Sequence, residues 1–370
     1  VFNPENLKDT EPEGFWEKTF FYIKQIVKLL VVPVAAFAVL YYGFQFLQAA
    51  YVPQGLLTIV AVAWGVGGIW LVLIILNWMI QHLPPEPRKR VVPFLFVGPA
   101  ILVLGYYIFL PTVRSLWMSF FDRLTQDFVG LANYEFIFSE LLMALRNNVI
   151  WLFVGTALCV ILGLIFALLT DRCRWEKISK SLIFLPIAIS FVGAGVVWKF
   201  MYDAKPLGEP QIGFVNAIIT ALGGEPYRFL VIRPWNNIFL IVVLVWMYTG
   251  FSMVIFSASI KNVPQNLLES ARIDGATELK IITSIIIPYI KSTVITVGTT
   301  ILLITLKLFD IVYTMTGGRF GTEVLATAQY KYMFKYLHYG KGAAIAILIV
   351  LLVIPVMIYN LKQFQEREVF

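Results

Sequence analysis

Residues Glu269–Ile290 read ESARIDGATELKIITSIIIPYI. This polar, charged, helix-forming segment lies between two charge-poor runs, at about 234–260 and 286–308, and carries an Asp274-Gly275 pair and a proline, Pro288. A bilayer core takes roughly 20 apolar residues as helix, so the flanking runs predict two membrane spans with this segment as the loop between them. A bare connector needs none of this patterning. A segment shaped to be gripped by another protein does.

Composition extends the reading to the whole chain. Of the 370 residues, 59% are hydrophobic and only 14% charged, with a mean hydropathy of +0.80. A soluble domain cannot bury that much apolar surface, so the predicted fold class is an all-α polytopic membrane protein. The net charge of +7 is then explained by basic residues retained on the cytoplasmic side of a bilayer, and it implies no nucleic acid. Cys159 sits in an apolar run and Cys173 in a basic loop, a placement that argues against a structural disulfide or metal site. The polar, acidic stretch VFNPENLKDTEPEG at residues 1–14 reads as part of a cytosolic tail with no cleavable signal ahead of it.

Residues 29–85 contain no charge, too long a run for one helix, and Tyr51-Val52-Pro53-Gln54-Gly55 breaks it into spans at about 29–50 and 56–80. Further runs at about 91–113, 147–170, 181–201, 234–260, 286–308 and 342–361 bring the expectation to eight transmembrane helices. Lys291 and Lys307 near the ends of the seventh can snorkel to the headgroups. The loop between the first two spans has no basic residue, whereas Arg88-Lys89-Arg90 and Arg172, Arg174, Lys177 and Lys180 occupy the next even-numbered loops. Those loops are expected in the cytoplasm, with both termini and residues 261–285 on the same side. Longer outer segments at about 114–146, 202–233 and 309–341 dilute the charge bias. The chain divides into a tail at 1–25, a two-helix hairpin at 26–90, a six-helix core at 91–365 and a cytoplasmic tail at 366–370.

Within the loop, Asn266 is expected to cap a short helix at 267–273, with Glu269 reaching back, and Leu267 and Ala271 form a small apolar side. Asp274-Gly275 supplies a left-handed turn, and a second helix from about Thr277 leads toward the membrane. The result is an L-shaped helix–turn–helix at the membrane surface. On composition alone, a solvated helical loop explains the same residues.

The spacing Glu269-Ser270-Ala271-x-x-Asp274-Gly275-Ala276, followed by Ile285-x-Ile287-Pro288, resembles the EAA loop of permease subunits of binding-protein-dependent ABC importers, of the carbohydrate-uptake, maltose-type family. Ser270 replaces that family's second alanine and Ile287 its leucine. Phe128-Val129-Gly130-Leu131-Ala132-Asn133-Tyr134 and Phe309-Asp310-Ile311-Val312-Tyr313-Thr314-Met315-Thr316-Gly317-Gly318 resemble two more of its segments, although Arg319-Phe320 stands where Gly-Pro is usual. Residues 322–326 and 340–344 also match its closing pattern. The likeness covers roughly 91–365, and the first two spans resemble the extra N-terminal helices of the maltose-type subunit. It implies that residues 264–285 form the coupling helix region, docking in an ATPase cleft through Glu269, Ser270, Ala271, Asp274, Gly275 and Ala276. It implies as partners a second homologous permease, two ATPase subunits and an extracytoplasmic solute-binding protein, in a bacterial or archaeal cytoplasmic membrane among lipid. The expected function is import of a sugar or related polyhydroxy solute by alternating access. ATP and Mg would be used by the ATPase subunits, with no cofactor on this chain.

No G-x-x-x-x-G-K-[ST] phosphate loop occurs, so the chain is not expected to hydrolyse ATP. His82 and His338 lie in separate loops, and Asp122/Asp127 has no supporting constellation, which leaves ordinary surface charge. A sugar path needs aromatic faces and hydroxyls. The sixth span offers Trp246, Tyr248, Phe251 and Ser252, the last three on one helical face, and the seventh offers Thr299, Thr300 and Thr305. Helix packing is the alternative for each of these residues. Lys307 and Asp310, three apart, predict an ion pair. An amino-acid, phosphate or glycerol-phosphate solute keeps the architecture, but an anion calls for a basic cluster in the pathway, and no expected span carries one except at its ends. A secondary transporter calls for an intramembrane coupling residue, and the central spans carry none.

Overall fold

A computed structural model describes residues 15–48, 53–82 and 85–368. Residues 1–14 of the expected tail, Tyr51 and Val52 of the expected break and residues 369–370 lie outside them. The chain divides into two compact units, Val1–Pro111 and Thr112–Phe370.

The first unit is helical: α1 (Phe15–Leu47), α2 (Gln54–His82) and α3 (Pro85–Leu104), the last continued by a π turn at Gly105–Phe109. α1 packs along α2, where Gly43 leaves room for the Trp64 indole and the Phe44 and Trp64 rings lie 6.1 Å apart. α4 (Leu110–Met118) follows.

The second unit continues with α5 (Ala132–Glu140), α6 (Leu142–Ile150), α7 (Thr156–Thr170), α8 (Glu176–Phe184), α9 (Phe191–Met201) and α10 (Phe214–Ala221). Then come α11 (Trp235–Lys261), α12 (Gln265–Ile273), α13 (Glu278–Ile281), α14 (Ile287–Tyr289), α15 (Lys291–Leu306), α16 (Asp310–Met315), α17 (Leu325–Tyr330) and α18 (Tyr339–Glu368). Among the described residues there is no strand, only an isolated bridge between Phe121 and Phe128. α18 runs on to Glu368, so helix occupies most of the tail expected from 366.

Among the described residues, five helices are by themselves long and apolar enough to cross a membrane: Gln54–Ile80, Phe96–Met118, Leu142–Thr170, Trp235–Lys261 and Tyr339–Lys362. Two more candidates are bent pairs, Glu176–Ala188 with Phe191–Met201 at 102° and Glu278–Tyr289 with Lys291–Leu306 at 71°. Where straight spans were expected at 181–201 and 286–308, the chain therefore turns sharply. At the first bend Leu185-Pro186 opens a 3₁₀ turn, and the Ser190 side chain then accepts the Gly193 N–H at 3.0 Å to start α9 afresh. At the second, Ile290 leaves helical geometry (φ −90°, ψ 8°) two residues after Pro288. The first of the eight expected spans falls on α1, whose apolar part, Val31–Leu47, is shorter than the others.

α11 is the central post of the second unit. It buries residues on every side, including Leu240, Leu244, Met247, Met253 and Phe256, as a helix apolar all round should. α7 lies against it, turning Cys159, Gly163, Ala167 and Thr170 inward and Ile161, Ile165 and Leu169 outward, a clean helical period. The contact is close because Gly163 lacks a side chain. A Cβ there would strike Ser252. Across α11, Gly250 admits the backbone of Ile183 and Phe184 at the end of α8.

Candidate functional site

The segment between α11 and α15 builds a peg with its own small core. Val263, Ile281, Ile286 and Ile290 are buried together, with Leu268, Ala271 and Ala276 packed on them and Leu164 and Leu168 of α7 closing the side. The apolar side of α12 is thus Leu268 with Ala271. Leu267, expected there with Ala271, is exposed, and Leu268, one position on, packs on the core in its place. α12 begins at Gln265 with Pro264 as its N-cap and no side-chain capping bond. The expected Asn266 cap does not form, since Asn266 already lies in the first turn.

The end of α12 is as the Asp274-Gly275 pair predicts. Gly275 has φ +78°. Its N–H donates to the Arg272 carbonyl at 3.1 Å and the Ala276 N–H to the Ala271 carbonyl at 3.0 Å, the paired bonds of a Schellman motif. The Thr277 hydroxyl then accepts the Lys280 N–H and opens α13. Glu269, Ser270, Asp274 and Gly275 face outward, while Ala271 and Ala276 are half-buried against the core. Three apolar side chains share the outer surface: Leu267, Ile273 (85% exposed) and Leu279 (72% exposed).

Charges that the sequence reading had used only for topology meet behind this peg. Arg172 donates to Glu278 Oε2, and Arg272 Nε donates to Glu278 Oε1 at 3.0 Å. Lys180 pairs with Asp171, donates to Glu176 at 2.6 Å and bonds Ser257, while Glu176 also accepts from Lys261. Apart from the i, i+4 pair Glu176–Lys180, the spacing of these residues in sequence carries no sign of their meeting.

On α11, the Tyr248 ring stacks on Phe191 at 5.8 Å and meets Phe251 edge-on at 6.2 Å, and Trp246 meets Trp198 edge-on at 5.7 Å. All three α11 aromatics keep partly exposed surface. Ser252 (0% exposed) and Thr305 (2% exposed) are buried, and their hydroxyls bond the carbonyls of Tyr248 and Ile301 on their own helices. Thr299 and Thr300 bond back to Ile295 and Thr296 in the same way. Lys307 and Asp310 form no ion pair, because the helix ends at Lys307 and Asp310 opens a new one.

The other motifs fold into braces. Asn133 donates to the Ser119 and Phe121 carbonyls at 2.9 and 2.7 Å, and Tyr134 shares a hydrogen bond with Ser119. Asp122 accepts the Gln126 and Asp127 N–H groups, a turn cap consistent with surface charge. The Thr316–Glu323 loop carries positive φ at Gly317, Gly318, Phe320 and Gly321. Asn147 donates to the Gly321 and Glu323 carbonyls at 2.8 and 2.7 Å, Asn236 and Arg233 donate to Phe320, and Asn148 accepts the Leu325 N–H. These asparagines were missed in sequence; amides at the beginning of the apolar runs, at 147–148 and 236, were the available signal. Beyond the loop, hydrogen bonds from Lys335 and Tyr330 hold the Tyr313 phenol below its ordinary pKa.

Residues 89–369 match the family described as "Binding-protein-dependent transport system inner membrane component". The chain is 50% identical over 276 residues to the osmoprotective compounds uptake permease protein GgtC of Synechocystis sp., covering 74% of this chain and 99% of that protein. It is 47% identical over 273 residues to the alpha-glucoside transport system permease protein AglF of Rhizobium meliloti, covering 73% and 81%. Among solved structures, a bacterial alginate ABC transporter in complex with alginate pentasaccharide-bound periplasmic protein has a chain that matches with TM-score 0.63 at 20% identity, over 74% of this chain and 94% of that one, a likeness of fold. With three-quarters of its length matched by the family and half of the aligned residues identical to a permease, this chain belongs to the binding-protein-dependent transport system inner membrane components.

Proposed function

We propose that this chain is the membrane subunit of an ATP-driven importer for a sugar or related polyhydroxy solute, working by alternating access. The observation that carries the reading is the outer face of α12, where Glu269, Ser270 and Asp274 stand among exposed Leu267 and Ile273 on a rigid, glycine-terminated peg. Apolar side chains ringed by charge mark a surface that a partner covers. Support for the class of partner and of solute comes from the family match and from relatives named as permeases for osmoprotective compounds and for an alpha-glucoside. Two ATPase subunits, using ATP and Mg, grip this peg and that of a second homologous permease, and an extracytoplasmic binding protein delivers the solute. Eight spans, with Val31–Leu47 as the first, put residues 264–285 and both termini in the cytoplasm. Tyr248, Phe251 and Trp246 offer ring faces to the solute, while Ser252 and Thr305 support the helices that carry them.

Mild detergent extraction followed by mass identification of co-purifying chains, then uptake of labelled solutes into proteoliposomes, tests this reading. The expected result is accumulation of a sugar or glycoside, such as an α-glucoside, that requires both internal ATP and the binding protein. Accumulation driven by a proton or sodium gradient without ATP, or of an amino acid in place of the glycoside, overturns it.

A further inference from the structure

The charges behind the peg form one continuous chain across five elements. Arg272 on α12 and Glu278 on α13 lead to Arg172 just beyond α7, 106 positions away from Glu278. The residue beside it, Asp171, accepts from Lys180 of α8 and from Ser257 of α11. Lys180 and Lys261 of α11 then share Glu176. The end of α7, α8 and α11 are thus tied to the coupling segment or to one another by charged side chains.

Stability alone does not account for this arrangement. Asp171 stands at the C-cap of α7, the end of a helix dipole that disfavours a carboxylate. One of its oxygens, Oδ2, is buried with no hydrogen-bond partner. Buried ion pairs of this kind, here with both side chains largely buried, add little net stability and are better suited to fixing one register among alternatives. The outer pair is different: Arg172 and Glu278 are 57% and 47% exposed, so solvent screens them and their bond is weak enough to break and reform. Meanwhile α12 is joined to the spans in sequence only by the short connections Asn262–Pro264 and Asp274–Thr277, the second containing the left-handed Gly275. Packing of Leu268 and Ala271 with Leu164 and Leu168 of α7 seats the peg, and the charged ties add a second hold that opposes rotation about these connections.

We propose that Arg172, Glu278 and the Asp171–Lys180 pair are positioning residues that latch the peg to the ends of α7, α8 and α11. A displacement imposed on α12 is then delivered to α7 and α11, whose packing through Gly163 and Ser252 makes them move together. The latch rests on the reading of α12 as the ATPase contact.

The test uses the complete complex in proteoliposomes and measures complex yield, ATP hydrolysis and solute accumulated per ATP. Arg172→Gln lies outside the gripped helix. It should leave yield and hydrolysis within about twofold of wild type while solute per ATP falls about fivefold or more. Glu278→Gln should lower solute per ATP by a similar factor, and the double variant should be no worse than the poorer single, as partners in one interaction require. Lys180→Met should uncouple and Lys180→Arg restore coupling. Wild-type solute per ATP in Arg172→Gln, additive losses, or a drop in yield with the ratio intact each overturn the latch. A spin label at Ser270→Cys, in a Cys173→Ser background, reads the contact without transport. Its spectrum should show greater mobility in Arg172→Gln, and an unchanged spectrum overturns the proposal. If the wild-type complex shows no ATP-driven uptake yet the label responds to Arg172, the functional reading falls and the ionic contact stands.

Discussion

At the scale of single residues, two glycines do opposite work. Gly275 has open space where a Cβ would go, but a positive φ that L-residues adopt only at a cost of about 1–2 kcal/mol. Gly275→Val therefore strains the turn without filling any cavity, and we expect assembled complex at wild-type abundance with uptake abolished. Normal uptake at normal abundance would remove the glycine from the coupling argument. Gly250 has ordinary helical geometry and no space at all, since a Cβ would enter the backbone of Ile183 and Phe184. Overpacking of this sort costs about 1–3 kcal/mol, so Gly250→Val should lower the amount of folded protein recovered from membranes, with any surviving fraction transporting at normal affinity. The first glycine was legible from the Asp-Gly pair, because turn chemistry is local. The second was not, because nothing near Gly250 in sequence announces that α8 crosses there.

At the scale of elements, α11 separates packing from exposed chemistry along its own length. Its pattern identified a span and drew attention to Trp246, Tyr248, Phe251 and Ser252 together, because spacing places residues on a face without saying what that face meets. The structure divides the set: Ser252 is sealed against Gly163, whereas the aromatic rings keep open surface. A ring stacked on a sugar contributes on the order of 1 kcal/mol beyond burial, by analogy with aromatic pairs. Tyr248→Ala and Phe251→Ala should accordingly raise the half-saturation concentration for uptake several-fold while basal ATP hydrolysis and complex yield persist. Ser252→Val should instead reduce yield and leave half-saturation unchanged. Measuring both quantities on the same preparations checks the division. The reverse pattern, with Ser252→Val altering affinity, would place the solute between α7 and α11.

At the scale of the whole molecule, function depends on surfaces that this chain leaves for others. With no phosphate loop in its sequence, the purified subunit reconstituted alone with ATP on both sides should show no solute-dependent hydrolysis, and hydrolysis by a verified-pure preparation would place the chain in another class. What the sequence by itself determined was the all-helical membrane-protein character, the apolar runs that fall on helices, and the charged segment with its glycine turn. These follow from hydropathy, charge and turn preference, which are properties of neighbouring residues. Tertiary structure alone decided the sharp bends after Pro186 and Pro288, the side of α12 that faces the bundle, and the absence of a Lys307–Asp310 pair. It alone brought Asn147 to the Gly321 carbonyl and Arg172 to Glu278, 174 and 106 positions apart. Such contacts are set by how helices pack, and packing is decided by the shapes of surfaces far apart in the chain, which no local pattern encodes.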